Sequence, residues 1–170
     1  MNSQVRIYLD RMLKVQRAPI RKGIKASHKS VLMITLIEMI DRGHTKKNAF
    51  YLNESLIKRF RFNWDYFPTQ GRGDIYLPFY HLKNSINQNE SFWYIKSLQS
   101  LKIERPFTSL TNLFMQVDYG YFDEDLFTIL LREDARKYIL KGLIEYFFPE
   151  RLDEYISSLN SYSRRLKEWE

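Results

Sequence analysis

Residues 31–40 constrain the fold more than any other part of the chain. Val31, Leu32, Ile34, Leu36, Ile37 and Ile40 recur at helical spacing on nearly all sides. A helix that is apolar all round packs inside a core rather than on a surface. The spacing predicts a helix over residues 28–42, with Ser27 placed to cap its start and Gly43 to end it. The first turn of such a helix presents unpaired N–H groups and the positive end of the macrodipole, and here it also carries His28 and Lys29. A phosphate oxygen would be well placed there.

The approach to this helix is basic. Residues 11–37 contain no Asp or Glu, while Arg11, Lys14, Arg17, Arg21, Lys22 and Lys25 lie on both sides of Ala18-Pro19 and Gly23, where a loop can follow a nucleic-acid backbone. Two readings stand side by side: an anion-binding surface, and a solvated basic face beside an ordinary cap. The whole-chain net charge of +7 understates the asymmetry. Residues 1–117 hold 19 Lys and Arg against 8 Asp and Glu, whereas residues 118–170 hold 8 against 12. A basic portion rich in aromatics attracts polyanions, of which nucleic acid is the commonest. Anionic lipid competes as a partner, but no basic amphipathic helix with a clean apolar face stands out beyond the expected core.

A length of 170 residues with 12 Phe and 12 Tyr suits one domain with a substantial core. With no cysteine, disulfides, thiolate zinc sites and thiol nucleophiles are excluded. The first ten residues lack the apolar run of a signal peptide, and no apolar run approaches the roughly 20 residues of a membrane span. A cytoplasmic protein with no membrane association is expected.

The expected fold class is α+β, a mostly helical single domain with a small antiparallel hairpin or sheet. The pattern predicts a helix over residues 3–15, with Val5, Tyr8, Leu9, Met12 and Leu13 on one stripe. Beyond the buried helix come an extended piece at 49–52, a helix capped by Asn53 running to about 62–64, and a loop at Pro68 and Gly71-Arg72-Gly73. Residues 74–82 and 91–98 are expected to form a hairpin with a long polar connection. Pro78 then marks an edge, a bulge or the end of pairing. Helices are expected over 109–117, 124–131, 133–148 and 151–169. Residues 160–170 also read as the approach to a linker and a further domain.

Two of these segments resemble a known family. Ala26-Ser27-His28-Lys29-Ser30-Val31-Leu32-Met33 is similar to an Ala-Pro-His-Lys-Pro-Leu-Leu-Leu signature. About fifty residues on, Leu77-Pro78-Phe79-Tyr80-His81-Leu82 followed by Phe92-Trp93 is similar to a Leu/Tyr-Pro-Phe-aromatic-His/Arg-Leu signature with its later Phe/Leu-Trp. Both belong to the DNA sulfur-binding domain of McrA-type type IV restriction endonucleases and to the N-terminal domains of related HNH endonucleases. Residues 126–149 resemble the C-terminal helices of that family, so the likeness spans most of the chain.

The resemblance implies recognition of double-stranded DNA in which sulfur replaces a non-bridging phosphate oxygen. It places the sulfur in a small apolar pocket at Leu77, Pro78 and Tyr80. It assigns the surrounding backbone to His28 and Lys29 and sets Arg105 about where the family has another basic residue; from the charge, cap and loop readings, Arg17, Arg21, Lys22, Lys25, Ser27, Arg72 and Lys83 join them as candidate DNA contacts. Ser27 and Ser30 stand where the family often has prolines, and Leu77 where sulfur binders commonly have Tyr. Sulfur-modified and plain DNA therefore both remain open as ligands. The chemistry is reasonable in itself, since sulfur is larger and less strongly hydrated than oxygen. About 40 Å² of apolar contact at roughly 25 cal/mol per Å² discriminates by about 1 kcal/mol.

No catalytic group, metal or cofactor is expected in this chain. His28, His44 and His81 lack metal-ligand spacing, and the His-Asn-His pattern of HNH nucleases is missing. Asp74 and Glu90 lack the lysine that would complete a nuclease pair, and Asp123-Glu124-Asp125 reads as an acidic first helical turn. The expected function is the recognition module of a modification-dependent restriction system, with any cleavage in a partner or a separate nuclease domain. The alternatives are a protein-interaction module, a general DNA-binding domain of an HNH nuclease without sulfur specificity, and a small nuclease in its own right.

Overall fold

The computed structural model describes residues 2–84, 86–98 and 110–168, apart from the side chains of 110 and 162–168. Helix α1 spans Ser3–Leu13, α2 His28–Asp41, α3 Glu54–Tyr66, α4 Tyr76–His81 and α5 Leu110–Gln116. Helix α6 spans Glu124–Leu130, α7 Glu133–Phe147 and α8 Leu152–Glu168, so residues 160–168 continue a helix. Strands β1 (Pro19–Arg21) and β2 (Ile24–Lys25) form one small antiparallel sheet, and β3 (Trp93–Ser97) and β4 (Val117–Phe122) another. The architecture is a mostly helical α+β fold. Among the described residues no helix is long and apolar enough to cross a membrane.

Helix α2 is the centre of the core, as its all-round apolarity requires. Every residue from Ser30 to Ile40 is buried, with α3, α4 and α7 packed around it. Of its three buried polar side chains, Ser30, Thr35 and Glu38, the last two are hydrogen-bonded, whereas the Ser30 hydroxyl has no partner among the described residues. The Thr35 hydroxyl donates to the Val31 carbonyl at 2.7 Å, and Asn63 of α3 donates to both Thr35 and Glu38. Arg59 of α3 grips Glu38 with two bonds of 2.9 and 3.2 Å, and the Tyr155 hydroxyl of α8 donates to it at 2.8 Å. One acidic side chain thus ties three helices together.

Asn53 caps α3 as expected, its Oδ1 accepting from the Leu56 amide at 3.0 Å. Ser27 occupies the N-cap position of α2 but makes no side-chain cap bond. Its backbone, at φ −95° and ψ 0°, lies close to helical, whereas a capping hydroxyl is presented from extended backbone.

The expected pairing of residues 74–82 with 91–98 is corrected. Residues 76–81 are helix α4, and β3 pairs with β4 instead, Tyr94 facing Tyr121 and Lys96 facing Tyr119. Pro78 is the third residue of α4, where a backbone N–H has no intrahelical acceptor, so the ring costs the helix no bond. The buried positions Ile75, Pro78, Phe79 and Leu82 follow helical spacing, and tertiary packing overrides the strand propensity of an aromatic run. Strand β4, absent from the sequence reading, also takes an antiparallel bridge from Phe50, with bonds of 2.7 and 3.0 Å to Gly120. Gly120 lies against the Trp93 ring, where an added Cβ would stand 2.1 Å from Cζ2. Trp93 is fully buried and donates its indole N–H to the Phe79 carbonyl at 2.8 Å, joining the sheet to α4.

Candidate nucleic-acid interface

The two separated segments that carry the family resemblance face one cleft of about 580 Å³. Its lining comes from Arg17, Ala18, Ala26, His28 and Lys29 in the first part of the chain, and from Arg72, Asp74, Tyr76, Leu77, Pro78, His81 and Asn84 some fifty residues on. The base of the β1–β2 hairpin supplies the two alanines, held together by a 2.7 Å bond from the Ala26 amide to the Ala18 carbonyl. The start of α2 supplies His28 and Lys29, and α4 supplies Tyr76, Leu77, Pro78 and His81.

Trp64 organises the rim. His28 packs on its ring at 4.3 Å, and Gly73 lies so close that an added Cβ would be 2.6 Å from the indole. Nε2 of His28 is 2.6 Å from the Arg72 carbonyl oxygen. The loop is fixed at its backbone while the Arg72 side chain, 89% exposed, reaches outward with Asp74 at 3.4 Å.

Arg17 and Lys29 are half-buried cations with no carboxylate partner among the described residues. The Arg17 guanidinium lies 4.8 Å over the Phe147 ring, and the Lys29 ammonium donates to the Gln16 carbonyl at 2.9 Å. Burial pushes both groups below their ordinary pKa, the expected penalty for charge removed from water without a counter-ion. An anion entering the cleft offsets that penalty. The same cleft also has apolar lining: Leu77, 43% exposed, buried Pro78 and the two alanines.

Of the residues expected at the site, Arg17, His28, Lys29, Arg72, Leu77 and Pro78 line the cleft. Arg21 and Lys22 are exposed at the hairpin tip and Lys25 on β2, outside the walls. Ser27 does not line it either. Tyr80 and Lys83 are not among the lining residues: Tyr80 is buried, and Lys83 sits over its ring at 4.2 Å. Arg105 lies outside the described residues. The lining residues not expected from the sequence are Ala18, Ala26, Asp74, Tyr76, His81 and Asn84. Helical spacing would have found part of this set, because Leu77, His81 and Asn84 fall on one face of a helix continued through its last turn.

Asp74 and Glu90 take different partners, Arg72 and Lys14 respectively. Among the described residues no cluster of three or more His, Asp or Glu could hold a metal ion. The chain matches no known family model and no curated protein.

Proposed function

We propose that this chain is a non-catalytic DNA-binding domain that recognises phosphorothioate-modified duplexes, the recognition module of a modification-dependent restriction system. The observation that carries this reading is the convergence of Ala26, His28 and Lys29 with Leu77 and Pro78 on one cleft, which brings half-buried cations and apolar side chains into the same lining. Arg17, His28, Lys29 and Arg72 hold the sugar-phosphate backbone and supply affinity, while Leu77 and Pro78 receive the less hydrated sulfur and supply selectivity. The exposed tip of the hairpin, with Arg21 and Lys22, extends the basic track beyond the cleft.

Fluorescence anisotropy with two matched duplexes, one carrying a phosphorothioate and one not, tests the reading at several salt concentrations. Preferential, salt-sensitive binding of the sulfur duplex is expected, with log K falling by about 0.9 per phosphate neutralised for each unit of log salt. Equal binding of both duplexes would reduce the reading to a general DNA binder, and absence of binding would overturn it.

A further inference from the structure

The outer face of the β3–β4 sheet carries four tyrosines in an unbroken row. Tyr51 meets Tyr119 at 5.5 Å between ring centroids, Tyr119 meets Tyr121 at 5.9 Å, and Tyr121 stacks on Tyr94 at 5.4 Å. Tyr51 and Tyr94, at the two ends, are 49% and 37% exposed. The opposite face of the same strands already supplies the core with Trp93 and Phe122. Burial of that inner face does not require aromatic side chains on the outer one.

The charge beside the row is positive. Lys96 lies directly opposite Tyr119 on the neighbouring strand. Lys46 and Lys47 share with Tyr51 the wall of a depression of about 410 Å³ at the other edge. All three lysines are exposed and form no ion pair among the described residues. Of the carboxylates near this face, Asp123 accepts from the Tyr8 hydroxyl and Glu124 from the Asn48 amide, and Asp118 is the one acid within the two strands against the three lysines.

We infer that this face is a second nucleic-acid site, on which bases of single-stranded DNA stack along the tyrosine row while Lys46, Lys47 and Lys96 hold the phosphates. Rings in series accept any base by its π-face, and flanking cations track the backbone. A protein partner would gain nothing particular from three unpaired lysines around an aromatic row, whereas a single strand uses both. DNA is named as the strand because the cleft reading places the chain on DNA, and to that extent the assignment rests on it.

The test is anisotropy of a fluorescein-labelled single-stranded oligodeoxyuridylate against the whole chain, with oligouridylate as competitor. Tyr119→Ala and Tyr121→Ala should each weaken binding by on the order of tenfold, within the range found for loss of one base-stacking ring. Tyr119→Phe and Tyr121→Phe, which keep the ring and the fold, should bind nearly as wild type. The alanine variants should leave duplex binding at the cleft unchanged, so failure of the platform and failure of the cleft reading give different results. No binding of the oligomer, equal binding by the alanine variants, or stronger binding of the RNA competitor would each overturn the assignment.

Discussion

Nε2 of His28 and the main-chain oxygen of Arg72 lie 2.6 Å apart, joining the first turn of α2 to a loop 44 residues away. A carbonyl can only accept, so the imidazole presents its proton at Nε2 there. Nδ1 is left for other partners. The same ring packs on Trp64. His28→Ala should therefore release the 71–73 loop as well as remove a cleft side chain. The lost hydrogen bond and ring contact, each worth about 0.5–1.5 kcal/mol, predict a stability loss of roughly 1–3 kcal/mol. Hydrogen exchange of the peptide covering residues 71–73 should accelerate; unchanged exchange would mean that Gly71 and Gly73 hold the loop without the histidine.

Lys29 gives the cleft a pH signature. Burial places its folded-state pKa below the ordinary 10.5, so the protonated amine is disfavoured in the free fold. That penalty is present at neutral pH and is relieved as pH rises through the lowered value toward 10.5. Duplex binding should respond in the opposite sense, because the bound phosphate needs the charged amine. Affinity should fall over this alkaline window, with proton uptake on binding. Lys29→Arg should flatten the fall, and Lys29→Ala should weaken all duplexes alike while reducing the salt slope by about 0.9. Anisotropy titrations from neutral to alkaline pH decide it, and identical profiles for wild type and Lys29→Arg would remove Lys29 from the contact.

The apolar wall should act on selectivity rather than on affinity. Pro78→Ala removes ring carbons from the cleft surface and should narrow the gap between phosphorothioate and plain duplexes by roughly fivefold, corresponding to about 1 kcal/mol. Parallel titration of the two duplexes measures the gap. Equal losses on both ligands would sink the pocket assignment for Pro78.

Helix α2 was legible because its signal is redundant: an apolar run of that length on every side has one stable placement. The Asn53 cap was legible for a local reason, one side chain bonding an amide three residues on. Residues 74–82 were misread because alternation and helical spacing coincide over so short an aromatic run, and Pro78 is compatible with either a strand edge or a first helical turn. Strand β4 was hidden by Asp118 and Gly120, residues unfavourable in strands, and Gly120 is explained only by the Trp93 ring from another strand. The cleft was legible as two segments but not as a shape. Nothing local in the sequence says that Ala18 and Ala26 line the same cleft as Leu77 and Pro78.

Gly120 is the position where the second sheet has least tolerance. A methyl group there would collide with the ring of Trp93, which cannot move without losing its bond to Phe79 and its contacts with Phe50 and Phe122. Gly120→Ala should destabilise the fold by about 1–3 kcal/mol or more, as overpacking of a filled core does. Chemical denaturation should show an earlier midpoint, and a midpoint equal to wild type would mean that the sheet slides to make room.

The Glu38 cluster predicts the largest stability effect. Glu38 is buried and Arg59 is its cationic partner, while Asn63 and Tyr155 are neutral donors. Burial first, then the charge of Glu38, pushes the Tyr155 phenol well above its ordinary range, which favours the protonated donor seen on Glu38. Removing Arg59 leaves a buried carboxylate without its counter-charge, a change that costs about 3–5 kcal/mol in comparable settings. Arg59→Met should therefore destabilise strongly. In Glu38→Gln/Arg59→Met the charge itself is gone, and an amide can still accept from Asn63 and Tyr155. The double variant should recover much of the loss, giving a coupling energy of roughly 1–3 kcal/mol in a double-mutant cycle read by chemical denaturation. Additive losses would mean that Arg59 contributes by packing on Phe62, over whose ring its guanidinium lies at 4.6 Å, and not by balancing the charge of Glu38.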